Sequence, residues 1–148
     1  MPIGAICNRE VVFVFRNDSV REAAALMRAH HVGDLVVVDE LAQRKPVGIV
    51  TDRDIVISVV AQGLDPVALS VGEIMRPELI TAPEEQGVFE SIQHMRQKGV
   101  RRLPVVGKRG QLVGIVSIDD LIALFADELG ELAKLITREQ AVEMKTRR

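Results

Sequence analysis

The sequence contains no tryptophan and no tyrosine, and its four phenylalanines are scattered over 148 residues. A protein that grips single-stranded nucleic acid by stacking needs a cluster of aromatic faces, and none is encoded. The one cysteine, Cys7, makes no internal disulfide, so the chain is not a secreted scaffold held by bridges. Charges interrupt every apolar stretch well before the roughly 20 residues that a membrane span requires. The opening Met1-Pro2-Ile3-Gly4-Ala5 is not a basic segment followed by an apolar run, and a reducing, cytoplasmic setting with no membrane partner is expected. Nineteen Lys and Arg against twenty-one Asp and Glu leave a net charge of −2. No global field draws nucleic acid to the surface, nucleic acid is not an expected partner, and any anion site has to be local. His30, His31 and His94 are the only histidines; with one cysteine they match no metal-ligand spacing, and no metal site is expected. A P-loop, a dinucleotide-binding glycine pattern and a nucleophile elbow are all missing. With no base, nucleophile or metal constellation, the reading is not an enzyme and has no catalytic cofactor.

What the chain does have is a 47% apolar composition with 27% charge, enough to bury a core of ordinary size, and an internal repeat. Laying residues 6–38 on residues 74–106 gives ten identities in thirty-three positions, against about two for unrelated segments of ordinary composition. The identities include Val20 with Val88, Glu22 with Glu90, Met27 with Met95, Leu35 with Leu103 and Val37 with Val105. After a turn two residues shorter in the second half, Val47-Gly48-Ile49-Val50-Thr51 falls on Val113-Gly114-Ile115-Val116-Ser117. The period exceeds the 20 to 50 residues of solenoids, so a pair is expected and not an array.

Each half reads as strand, helix, strand, strand, helix. Val11 to Val14 is a strand, and Ser19-Val20-Arg21-Glu22 is a capping box that opens a helix running to about His31. Leu35 to Val38 and Val47 to Val50 are β-branched strands on either side of the polar turn Asp39 to Pro46, and a second helix runs from Thr51 to near Gly63. The pattern starts again at Leu79. The second helix of each half is apolar most of the way round, as Ile55-Val56-Ile57 and Leu121-Ile122-Ala123-Leu124-Phe125 show. Such a helix asks to be covered twice, by its own sheet and by the other half or another chain. From Leu129 onward an amphipathic helix leads to the basic end. The fold class is α/β (α+β), with two pseudo-symmetric β-α-β-β-α repeats: copy 1 at 6–63, a linker at 64–73, copy 2 at 74–128, and a tail at 129–148.

This pattern resembles a tandem pair of CBS domains, the Bateman module. The residues that carry the likeness are Gly48-Ile49-Val50-Thr51-Asp52-Arg53-Asp54, which is especially similar to the regulatory insert of inosine monophosphate dehydrogenases, together with Ile74-Met75-Arg76-Pro77 and Val100-Arg101-Arg102-Leu103-Pro104-Val105-Val106. The resemblance implies a stand-alone, non-catalytic sensor, usually homodimeric through its helices. Its clefts between copies would take adenosine-containing ligands, namely AMP, ADP, ATP or S-adenosylmethionine, and pass the signal by a change of packing to a regulated protein still to be identified. The alternative is a structural, protein-interaction module with degenerate, empty clefts.

The chemistry supports a sugar-binding reading of Thr51 with Asp54 and of Ser117 with Asp120. At a strand-to-helix junction these side chains sit among free amide donors, at the positive end of the helix dipole. A carboxylate accepts two hydrogen bonds at once, which suits the cis-hydroxyls of a ribose, and the hydroxyl can donate to sugar or phosphate. The same spacing is also a capping box that starts a helix with no ligand present; the two roles are compatible. Gly48 and Gly114 let ligand or neighbouring backbone come close. In the resembled family, basic residues placed like Arg101 and Arg102 reach phosphates; as bare sequence they are equally a solvated surface pair. The first copy has Gly33 and Asp34 at the matching positions, leaving Arg53 as its cation. The expectation is that the site of Ser117 and Asp120 is the better adenylate site. Pro104, matched by Val36, is expected at a strand edge lining a cleft.

Overall fold

The structure, a computed structural model, describes residues 1–147. The first copy begins with a single 3-10 turn (Ile3–Ala5). It continues with β1 (Phe13–Phe15), α1 (Val20–His30), β2 (Asp34–Val38), β3 (Pro46–Thr51) and α2 (Asp52–Ile55). The second has α3 (Val71–Ile74), β4 (Ala82–Pro83), α4 (Val88–Lys98), β5 (Arg102–Val106), β6 (Leu112–Ser117) and α5 (Ile118–Thr146). Each copy carries a three-stranded sheet, ordered β1-β2-β3 and β4-β5-β6. β2 runs parallel to β1, with Phe13 opposite Val36, and antiparallel to β3, with Leu35 opposite Val50. Residues Met1–Val116 form one unit and the chain from Ser117 onward a second.

The Ser19 box forms as its spacing predicts: the Ser19 hydroxyl accepts from the Glu22 amide at 3.1 Å and the Glu22 carboxylate accepts from the Ser19 amide at 2.9 Å. The helix ends at His31 in the left-handed region, φ 54°, where the second copy has Gly99, φ 65°. Strand β1 begins two residues later than the sequence suggests, at Phe13, where pairing with β2 starts. β4 is shorter still. Its ladder opens at Ala82 opposite Val105, one rung later than Phe13 opposite Val36, because the residue matching Val36 is Pro104, which has no N–H to donate. Pro104 is therefore buried in the central strand of its sheet, not at an edge. The second helix of copy 1 is α-helical for only four residues and continues as a π-helical turn over Val56–Val60, with the Ala61 amide reaching the Val56 carbonyl at 2.8 Å. Four of those five residues are β-branched, the type most crowded in an α-helix.

Both faces of β2 are buried, which is why Leu35 to Val38 reads as a continuous apolar run and not an alternation. Leu35 and Val37 meet Ala23 and Met27 of α1, Val14, Val50 and Val71. Val36 and Val38 meet Leu112 of the second copy, with Phe13, Phe15 and Ile115 packed alongside. Val71 is the telling member, because it lies in the segment expected as linker, opens the short helix α3 that leads into copy 2, and closes the core of copy 1.

The two copies exchange their leading segments. Ile3 and Gly4 donate to the carbonyls of Gln86 and Glu84 at 2.7 and 2.9 Å, and their counterparts Val71 and Gly72 donate to Asp18 and Arg16 at 2.8 and 2.9 Å. Val88 donates to Met1 as Val20 donates to Leu69. Asn8 bridges Ile115 as Arg76 bridges Ile49. Every one of these pairs maps onto its mate through the repeat alignment, so the exchange is a reciprocal lock about a pseudo-twofold axis. Gly48 and Gly114 lie where the exchanged segments cross. A Cβ on Gly48 would fall 2.7 Å from Met75 Sδ and 2.9 Å from the Arg76 carbonyl oxygen; one on Gly114 would meet Cys7 Sγ and, at 3.0 Å, the Asn8 carbonyl oxygen. These glycines admit neighbouring protein.

Gly48→Ala should accordingly cost about 2 kcal/mol of unfolding free energy in urea titration, since backbone on the far side cannot yield as a side chain would. Gly87 offers the opposite test. It stands where the first copy has Ser19, already has Glu90 three residues on, and leaves open space around an added Cβ. Gly87→Ser should complete the missing capping box and raise stability by about 0.5 kcal/mol in the same titration.

Candidate functional site

β3 delivers Thr51 to the start of α2 in extended conformation, φ −114° and ψ 161°, and the next three residues turn helical. The Thr51 hydroxyl oxygen accepts the Asp54 amide at 3.1 Å, and Asp54 Oδ2 accepts the Thr51 amide at 2.9 Å. Ser117 and Asp120 repeat the arrangement at the start of α5, at 3.1 and 2.8 Å. The capping roles are thus real in both copies. They occupy one carboxylate oxygen and one lone pair of the hydroxyl, and leave the hydroxyl proton and the second carboxylate oxygen for other partners.

At Asp54 that second oxygen has a partner. Arg76 Nε lies 3.5 Å from Asp54 Oδ1; the carboxylate side chain is 12% exposed and the arginine 68%. Arg76 is brought there by the segment exchange, its amide donating to the Ile49 carbonyl at 3.0 Å, two strand residues before Thr51. Spacing along the chain gives no reason to place Arg76 beside Asp54, because the two meet only through the crossing of the copies. The repeat alignment would have pointed to it once the exchange was known. Its counterpart in the first copy is Asn8, which carries no charge.

The other expected residues are distributed as follows. Arg53 is exposed on the first turn of α2, its amide donating to Asp52 Oδ1 at 2.8 Å. Arg101 is exposed just before β5. Arg102 is held by Asp34, Nε to Oδ1 2.8 Å, so the guanidinium expected to reach phosphate is already tied to the acid at the equivalent position of the other copy. Ser117 is half-buried and Asp120 exposed. Gln43, Lys45, Arg109 and Gln111 of the two strand-connecting turns line a cavity of about 350 Å³ that includes none of the expected site residues.

Asp34 is the group most affected by its surroundings. Burial raises its carboxyl above the ordinary 3.8, Arg102 pulls it back and Asp52 pushes it up again, with burial prevailing. Asp52 is close by, its amide donating to the Gly33 carbonyl at 2.9 Å. A raised acid holds its proton more tightly folded than unfolded, so its contribution to stability is fullest at low pH and falls as pH climbs through the folded value. The stability of the wild type relative to Asp34→Asn should therefore decline as pH rises from the ordinary carboxylate value of about 4 toward neutrality. Chemical denaturation of both proteins across that range checks it; a difference that grows with pH would mean that the Arg102 bridge outweighs burial.

Comparison with known proteins follows this geometry. The family model described as the CBS domain matches residues 3–61 and again residues 71–127. The uncharacterized protein MK0525 of Methanopyrus kandleri is 38% identical over 120 residues, covering 81% of this chain and 60% of its own length. Among solved structures, the CBS domain pair of protein MJ0100 in complex with 5-methylthioadenosine and S-adenosyl-L-methionine superposes with a TM-score of 0.75 at 30% identity, over 86% of this chain and 98% of that one. The CBS domain protein PAE2072 of Pyrobaculum aerophilum, complexed with AMP, gives 0.73 at 30% identity, over 82% and 90%. Among the described residues, no helix is long and apolar enough to cross a membrane.

Proposed function

Because the chain belongs to the CBS domain family, in the tandem arrangement of a Bateman module, we propose that it is a non-catalytic sensor of adenosine-containing ligands, and that Thr51, Asp54 and Arg76 form one of its binding sites. The observation that carries this reading is the Asp54–Arg76 contact. It combines a carboxylate oxygen not used by the helix cap with a largely exposed guanidinium, both supplied by segments that only the paired copies bring together. An ion pair whose arginine is this exposed is worth little, under about 1 kcal/mol, and is readily exchanged for better partners. A ribose diol donates to Asp54, the Thr51 proton is free to donate to sugar or phosphate, and the phosphate takes the guanidinium through charge-assisted hydrogen bonds. The relatives solved with AMP, with S-adenosyl-L-methionine and with 5-methylthioadenosine share the adenosine moiety that such a site would grip.

Arg76 supplies the cation that Gly33 and Asp34 withhold from the first copy, with Arg53 as an auxiliary on the next turn. Ser117 and Asp120 offer the same hydroxyl and carboxylate, and we assign them the second nucleotide position. AMP, ADP, ATP and S-adenosylmethionine are the ligands to discriminate. The apolar face of the π-helical turn that continues α2, where Val56 is 56%, Ile57 48% and Val60 68% exposed, is the surface on which we place homodimerisation. Ligand acts on this packing, and on a regulated partner protein, only through different affinities for two arrangements.

Isothermal titration of AMP and ATP tests the site. Asp54→Ala should weaken AMP binding at least roughly tenfold, corresponding to the loss of one charge-assisted pair. Arg76→Ala should weaken ATP more than 5-methylthioadenosine, which has no phosphate. Undiminished binding in both variants would remove Thr51, Asp54 and Arg76 from the site. If no adenosine ligand raises the melting temperature of the wild type, the interaction-module alternative replaces the sensor, since ligand at a hundred times its dissociation constant adds about 2.7 kcal/mol.

A further inference from the structure

The CBS match ends at residue 127, yet α5 runs unbroken to Thr146. Along it, Ile118, Ile122, Phe125, Leu129, Leu132 and Ile136 follow one another at alternating spacings of four and three. That is the seam of a coiled coil, which fits a straight α-helix only if a partner helix supplies the holes for its knobs. Ile122, Leu129, Leu132 and Ile136 are 60%, 66%, 58% and 59% exposed, a ridge too apolar and too long to be left in water without reason.

The charges along α5 say what covers it. Residues 118–132 hold five acids, Asp119, Asp120, Asp127, Glu128 and Glu131, and no base; residues 133–147 hold Lys134, Arg138, Lys145 and Arg147 against Glu139 and Glu143. A second copy lying parallel would set acid half on acid half. Lying antiparallel, it moves the acids of residues 118–128 off one another and onto residues 133–143, which carry Lys134 and Arg138 against Glu139 and Glu143, and it opposes the helix dipoles. We propose that the ridge of α5 is an antiparallel, two-stranded coiled-coil interface with α5 of a second copy of this chain, centred between Leu129 and Leu132.

In that register a seam residue faces one whose number makes a constant sum with its own. Leu129 meets the partner's Leu132, Phe125 the partner's Ile136, and Ile122 the partner's Glu139. The α5 interface is independent of the nucleotide site and of whether the π-helical turn after α2 is also covered.

Disulfide trapping in a Cys7→Ser background tests it, with Ile122→Cys and Glu139→Cys made as separate, singly substituted proteins. Both positions are exposed, and circular dichroism verifies that the variants fold. Antiparallel pairing predicts a mixed disulfide when the two proteins are combined and none in either alone. Like-with-like bridges at either position, or no bridge in the mixture, would overturn it. Glu139→Leu, which turns a polar layer opposite Ile122 apolar, should lower the dissociation constant of the α5 contact by roughly tenfold or more in sedimentation equilibrium; an unchanged constant would contradict the register.

Discussion

The reciprocal lock between the leading segments of the two copies is the constraint on which the rest of this structure depends. Neither copy has a complete core of its own, because Val71 closes the first and Ile3, its counterpart, is fully buried against the second. The glycines at the crossing, Gly48 and Gly114, are required by contact with protein. The same crossing carries Arg76 to Asp54. A carboxylate placed by one copy thus meets a guanidinium placed by the other, and the candidate site is a joint product of both. A change in how the copies pack must therefore be felt at the site, which is the physical condition for ligand binding to be coupled to packing.

Symmetry of backbone does not carry over to symmetry of charge. Arg102 and Asp34 occupy equivalent positions, and they face each other at 2.8 Å across the pseudo-axis. Arg76 and Asn8 are likewise equivalent, and only one carries a charge. The duplicated scaffold therefore supports two chemically different environments. One basic side chain, Arg102, is paired with an acid of the other copy, and another, Arg76, from outside the obvious motif, reaches Asp54.

Much of the fold was legible because local patterns fix local structure. The Ser19, Thr51 and Ser117 boxes predict their helix starts to the residue, and Leu35-Val36-Val37-Val38 announces a strand buried on both sides. The repeat alignment predicts two sheets of the same order. What escaped the sequence depends on segments far apart in the chain. The pairing of Arg76 with Asp54, the diversion of Arg102 to Asp34 and the true neighbours of Gly48 all follow from the exchange, which leaves no periodic mark. Pro104 was misplaced for a smaller reason: a proline is an edge residue only if its strand needs the missing donor, and here the neighbouring strand simply starts one rung later.

The lock itself is open to a direct measurement. Native-state hydrogen exchange reads the four amides that hold it, Ile3 and Gly4 on one side and Val71 and Gly72 on the other. If the exchanged segments complete both cores, these amides open only with global unfolding and share the free energy of the β2 and β5 amides. Should either pair exchange through a low-energy local opening while the central strands stay protected, the two copies would be self-sufficient and the account of a jointly built site would fail.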